Sequence, residues 1–160
     1  YVRHLIWMYL FTGARKQELI QAKWEHIDWQ RKELRIPENK SDRIHYIPLS
    51  QETISLLKKT PKVKGNPYIF VGHVKGQHLV NISKPWLRIR KKAKLHDLRI
   101  HDLRRTVGSW LAQDGNSLHL IGRVLNHADN DTTAIYARFG EDNVRQALSE
   151  HGEKLKPFLN

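Results

Sequence analysis

Apolar side chains at Leu5, Ile6, Met8, Tyr9 and Leu10 recur at helical spacing and stop at Thr12-Gly13, where a glycine can take the left-handed conformation that closes many helices. The pattern predicts a helix over 1–12. A second follows at once over 15–22, with Arg15 in its first turn and Glu18 three residues on, near enough for an ion pair on one face. From Trp24 to Leu49 the period shortens to that of strands, at 26–29, 33–36 and 44–49. Ile44, Tyr46 and Pro48 share one face of the last strand, and His45 and Ile47 the other. These segments predict a small antiparallel sheet, its last two strands joined by the polar turn 37–43 that carries Lys40 and Arg43.

Beyond the sheet the pattern returns to helices. Ser50 is placed to cap a helix over 51–59 built on Ile54, Leu56 and Leu57. Tyr68-Ile69-Phe70-Val71 is a short buried segment, and Ser83 is placed to cap 84–93, with Pro85 in the first turn. There Trp86, Leu87 and Ile89 can face the core while Arg88, Arg90, Lys91, Lys92 and Lys94 form a basic edge. Leu103, Val107, Trp110 and Leu111 recur at spacings of 3 and 4, predicting a helix from His101 that ends at Asp114-Gly115 and puts His101 and Arg104 on one face. A helix over 117–125 precedes His127, and Thr132 or Thr133 begins a short helix carrying Tyr136. A last helix fits 142–149, before a polar tail over 150–160. The class predicted is α+β, mainly α: one helical domain over 1–149 with a three-stranded antiparallel sheet.

Charge narrows the partners. Lys plus Arg is 28 against 16 Asp plus Glu, a formal charge of +12, which suits a polyanion such as nucleic acid. The plainer alternative is a surface kept charged for solubility alone. No stretch approaches the ~20 apolar residues of a membrane span. The absence of cysteine removes disulfides, thiolate catalysis and Cys-ligated zinc, and is compatible with a reducing cytoplasm. Because Tyr1 opens inside an apolar run with no initiator Met or charged leader, the expectation is a fragment preceded by further chain.

The candidates for chemistry are two arginines, Arg15 and Arg104, the hairpin lysine Lys40, the histidines His101 and His127, and Tyr136, nine residues beyond His127. Asp97 and Asp102, in a His-Asp…His-Asp pattern, are poor material for a metal site. The set suits phosphoryl transfer to a protein nucleophile. A phosphodiester under attack gathers charge on its non-bridging oxygens, and guanidinium forks are planar, permanently charged donors for them. Arg15 and Arg104 fit that task, with His101 and His127 as further donors. An ordinary tyrosine hydroxyl is ionised only to about one part in a thousand at neutral pH, so Tyr136 needs a positive pocket. The departing 5′ oxygen needs a proton that a lysine can give and an arginine cannot readily, which makes Lys40 the natural general acid.

Thr12-Gly13-Ala14-Arg15 with Glu18-Leu19, Lys40 ahead of Ile47-Pro48-Leu49, His101-Asp102-Leu103-Arg104, Leu125-Asn126-His127 and Tyr136 occur in the order found in the catalytic domain of the tyrosine recombinases, the phage integrase family, which the chain resembles over nearly its whole length. The resemblance implies the DNA breaking-rejoining fold and a site-specific recombinase or integrase of a prophage or other mobile element. It implies a 3′-phosphotyrosyl intermediate with a released 5′ hydroxyl, formed without metal, ATP or other cofactor. It also implies attachment-type sites in double-stranded DNA, a homotetramer on that DNA, action in the cytoplasm on the nucleoid, no membrane, and a separate N-terminal core-binding domain. Arg43, Arg105 and the edge Arg88, Arg90, Lys91, Lys92 and Lys94 are the expected DNA contacts. Two positions depart from the commonest pattern: Arg105 where a histidine often stands, and Asn126 in place of the glycine of Leu-Gly-His. They leave open the geometry behind Arg104 and the shape of the turn before His127. The competing readings are DNA relaxation by type IB topoisomerase chemistry and a DNA-binding module without catalysis.

Overall fold

Helix α1 (Val2–Thr12) forms where the apolar run predicts it, burying Leu5, Met8 and Tyr9 and leaving Trp7 and Phe11 stacked at its surface. The coordinates are a computed structural model, and they describe residues 1–37 and 44–127. The chain divides into two compact units, Tyr1–Val107 and Gly108–Asn160. The turn 37–43, the short helix at Tyr136, the helix over 142–149 and the tail over 150–160 fall wholly or largely outside the described residues.

The exit from α1 is closed by its own residues. Thr12 Oγ1 donates to Met8 O at 2.6 Å and accepts from Ala14 N–H at 3.3 Å, while Gly13, at φ 62°, returns its N–H to Tyr9 O. A side chain at Gly13 would meet a left-handed backbone that costs roughly 1–2 kcal/mol for residues with a Cβ. Helix α2 (Lys16–Ile20) is shorter than the predicted 15–22. Just past it the backbone pairs elsewhere: Ala22 O accepts Ile69 N–H, Trp24 N–H donates to Pro67 O, and Lys23 bridges Tyr68. This pairing also explains the buried segment, since it draws Ile69 and Phe70 fully into the core.

Strands β1 (Ile27–Asp28), β2 (Glu33–Ile36) and β3 (His45–Pro48) form an antiparallel sheet in the order β1-β2-β3. The register pairs Leu34 with Ile47 and Ile36 with His45, so the face that buries Ile27, Leu34, Ile36 and Ile47 also buries His45, while Arg35 and Tyr46 point to solvent. Strand alternation permits only this choice once the apolar residues are inside. Helix α3 (Gln51–Lys59) is capped by Ser50, which accepts from Thr53 N–H. Its Ile54 and Leu57 join a core that runs from Leu5 to Leu103. Each such side chain contributes about 1.5–3 kcal/mol by leaving water.

Helix α4 (Ser83–Lys92) departs from expectation at both its cap and its inner face. Ser83 provides no cap; the Asn81 carboxamide accepts the Ser83 N–H at 2.8 Å. Leu87 and Ile89 stay exposed, because the stripe turned inward is Ile82, Trp86 and Arg90, three positions at the four-residue spacing of one helix face. Helix α5 (Asp102–Gln113) begins in the first unit and ends in the second, where α6 (Leu118–Val124) follows with Ser117 as its cap. No described helix is long and apolar enough to cross a membrane.

Candidate active site

The turn between α1 and α2 and the start of α5 bring the two predicted arginines into one neighbourhood. Arg104 is almost fully buried, and its Nη1 donates to Gly13 O at 2.6 Å across 91 positions of sequence. Gly13 presents that carbonyl because of its left-handed turn, two residues before Arg15. Arg15 occupies the N-cap position of α2 with its guanidinium partly exposed.

Glu18 holds Arg15 in place. Its carboxylate, 3% exposed, accepts the Arg15 backbone N–H at 2.7 Å and the Arg15 Nη1 at 3.0 Å. The ion pair read from sequence is therefore real, but it is no ordinary surface pair, because the acid is buried and grips both ends of the arginine. A carboxylate in the first turn that accepts the N-cap N–H supplies a partner for a backbone donor that would otherwise have none.

His45 was not singled out as a site residue from sequence, yet it belongs to this cluster. It is 9% exposed on the buried face of β3, and its Nδ1 lies 4.0 Å from Glu18 Oε1, beyond hydrogen-bonding distance and without a hydrogen-bond partner among the described residues. Burial lowers its pKa below the ordinary 6.5; Glu18 opposes the shift, and the positive charges of Arg15 and Arg104 add to it. The signal available in sequence was weak: a polar residue on the apolar side of an alternating strand.

His101 lies exposed just ahead of α5. Partial desolvation first, then the charges of Arg104 and Arg105, lower its pKa, with Asp102 acting in the opposite sense. The loop before it is braced by α4, since Trp86 Nε1 and Arg90 Nη1 both donate to Leu98 O, at 3.2 and 3.3 Å. Arg90 is thus partly committed to structure. Arg88, Lys91, Lys92 and Lys94 remain exposed along the predicted edge. Arg105, 58% exposed, contacts Asp102 at 3.4 Å, and Asp102 accepts as well from the Arg99 N–H. In the second unit His127 is half-buried after α6, its N–H bonded to Gly122 O. The preceding Asn126 takes φ 48°, which shows how it replaces glycine there, as asparagine tolerates the left-handed region better than most residues. Lys40, Arg43 and Tyr136 lie outside the described residues.

Three buried or partly buried histidines, His4, His26 and His45, have their pKa lowered, each mainly by burial. A histidine whose folded pKa lies below its unfolded value stabilises the fold above the unfolded pKa and ceases to do so as pH falls. The melting temperature should accordingly decline as pH drops from about 7.5 through 6.5 toward 5, where the unfolded chain binds more protons. Differential scanning calorimetry across that range checks the sign, and a flat or rising profile would contradict neutral buried histidines.

The chain matches the phage integrase family over residues 1–142. Prophage integrase IntA of Escherichia coli (strain K12) is 30% identical over 162 residues, covering 98% of this chain and 37% of that protein. A probable integrase/recombinase of Acholeplasma phage L2 is 23% identical over 156 residues, covering 94% of this chain and 53% of that one. Among solved structures, the XerH site-specific recombinase bound to difH substrate, in its pre-cleavage complex, superimposes with a TM-score of 0.72 at 29% identity, covering 92% of this chain and 45% of that chain. The chain spans about half the length of several of the curated relatives it matches.

Proposed function

Because the chain belongs to the phage integrase family, we propose that it is the catalytic part of a site-specific DNA recombinase, an integrase of a prophage or other mobile element. Tyr136 attacks a phosphodiester of duplex DNA, the bond to the 5′ oxygen breaks, and that oxygen leaves as a hydroxyl with a proton from Lys40. The cut strand is held as a 3′-phosphotyrosyl ester. One phosphodiester is exchanged for another, so the reverse attack by a 5′ hydroxyl of a second duplex completes strand exchange. Arg15 and Arg104 hold the non-bridging oxygens, with His101 and His127 as additional donors. The working form is a homotetramer on attachment-type sites, acting in the cytoplasm on nucleoid DNA.

The observation that carries this reading is the pairing of two guanidinium groups far apart in sequence: Arg104 is anchored to Gly13 O, and Arg15, two residues past Gly13, is braced by Glu18. Such a built pair matches the charge of a phosphodiester in transition, whereas a surface kept basic for solubility needs no buried arginine. The test is incubation with a nicked suicide duplex carrying the target site. A denaturant-resistant adduct is expected, and its absence would leave only a DNA-binding module. Strand joining to a second duplex, as against relaxation of a supercoiled circle, separates recombination from topoisomerase chemistry.

Binding is expected to rest on phosphate contacts by the exposed edge Arg88, Lys91, Lys92 and Lys94. On B-DNA each neutralised phosphate contributes about −0.9 to the slope of log K against log salt. Charge reversal at Lys91 and Lys92 should flatten that slope by roughly one to two units and weaken target and random duplexes alike. A fluorescence-anisotropy salt titration on both duplexes checks this; an unchanged slope would mark the edge as a solvated face.

A further inference from the structure

We propose that His45 is a positioning residue for the phosphate-holding arginines: its buried imidazole takes up a proton when a phosphodiester occupies Arg15 and Arg104, and then secures the Glu18 carboxylate that orients Arg15. The inference rests on the reading that those two arginines hold the phosphate.

The geometry is that of a contact left incomplete. His45 Nδ1 is buried, has no hydrogen-bond partner among the described residues and faces Glu18 Oε1 at 4.0 Å. Buried polar atoms are nearly always paired, so an exception calls for an explanation. The same Oε1 already accepts from Arg15 Nη1 at 3.0 Å. With its proton on Nε2, a neutral imidazole would turn a lone pair toward a carboxylate, an unfavourable meeting. A proton on Nδ1 as well makes the ring a cation that donates to Glu18, and a movement of about 1 Å brings the pair to ordinary hydrogen-bonding distance.

Charge decides when that proton is welcome. Among the described residues the charged groups acting on His45 are Glu18 from α2, Arg15 from its N-cap and Arg104 from α5. Its cross-strand neighbour on β2, Ile36, is apolar. Two guanidinium groups and one carboxylate leave a single net positive charge, against which a third cation is disfavoured. A bound phosphodiester adds a negative charge beside these groups and so makes a proton on His45 less unfavourable. Phosphate and proton therefore favour each other, and by linkage the coupling is reciprocal. The bound proton tightens Glu18, and through it the guanidinium of Arg15.

The test begins with the wild-type chain labelled with ¹³C-histidine. The His45 ring, assigned from the β3 backbone, should titrate below 6.5 alone and move to higher pH when a short duplex oligonucleotide is added. A ring that stays neutral in both states near pH 6 overturns the inference, whatever the variants do. Calorimetry in buffers of different ionisation enthalpy then counts protons taken up on binding. His45→Gln should take up fewer than wild type, by a difference approaching one, and uptake equal to wild type overturns the assignment to His45.

Adduct formation on the suicide duplex at saturating DNA supplies the third reading. His45→Leu should slow it by on the order of tenfold, within the range set by small misplacements of catalytic groups. His45→Gln, whose amide can still donate to Glu18, should recover most of that rate; no slowing in His45→Leu at unchanged thermal stability would count against positioning. Wild type that forms no adduct sinks the cutting reaction, whereas wild type that forms it while His45 stays neutral sinks this inference alone.

Discussion

Tyr136→Phe is expected to bind duplex DNA as wild type does and to form no covalent adduct on a nicked suicide substrate. The change removes one oxygen from a ring, so the apolar contribution of the side chain is retained while the nucleophile is gone. No other residue among the candidates can replace it: an arginine is permanently protonated, and a lysine or histidine would give a phosphoramidate in place of an ester. Ionising an ordinary tyrosine at neutral pH costs roughly 4 kcal/mol, which is why the proposed reaction requires a positive pocket, the part our proposal gives to Arg15 and Arg104. Denaturing electrophoresis of end-labelled substrate reads the result directly, beside an anisotropy measurement of binding. Adduct at wild-type yield would move the nucleophile elsewhere in the chain.

Sequence showed the frame well where local signals agreed. The closing glycine of α1, the Ser50 and Ser117 caps and the alternation across β2 and β3 all act within a few residues, and the elements appear within a residue or two of their expected places. It was less informative where distant chain intervened. Helix α2 stops early because residues 22–24 pair with 67–69, and α4 turns Arg90 inward because the Leu98 carbonyl lies there to receive it. The site followed the same division. Motif order pointed to Arg15 and Arg104, but the bond from Arg104 to Gly13 O, the burial of Glu18 and the place of His45 depend on contacts between segments far apart in sequence. No periodicity reports which buried polar groups will meet.

Arg104→Ala and Lys40→Ala should both slow cleavage strongly, yet respond differently when the bridging 5′ oxygen of the scissile phosphate is replaced by sulfur. Thiolate leaves far more readily than alkoxide and needs no proton from the protein, so a variant lacking the general acid should regain most of its rate. In the role proposed for it, Arg104 serves the non-bridging oxygens, whose charge develops whichever atom departs; removing one such donor costs about 10²–10³ in rate, and sulfur should restore little of it. Arg104→Ala has a second effect that Lys40→Ala is not expected to share. It removes the buried donor to Gly13 O, and a buried carbonyl stripped of its partner costs about 1–3 kcal/mol, so its melting temperature should fall. Measuring single-turnover cleavage of both substrates at a temperature where Arg104→Ala is fully folded keeps stability apart from chemistry. Equal rescue of the two variants, or rescue of neither, would remove the separate acid role from Lys40, and rescue of Arg104→Ala alone would reverse the assignment.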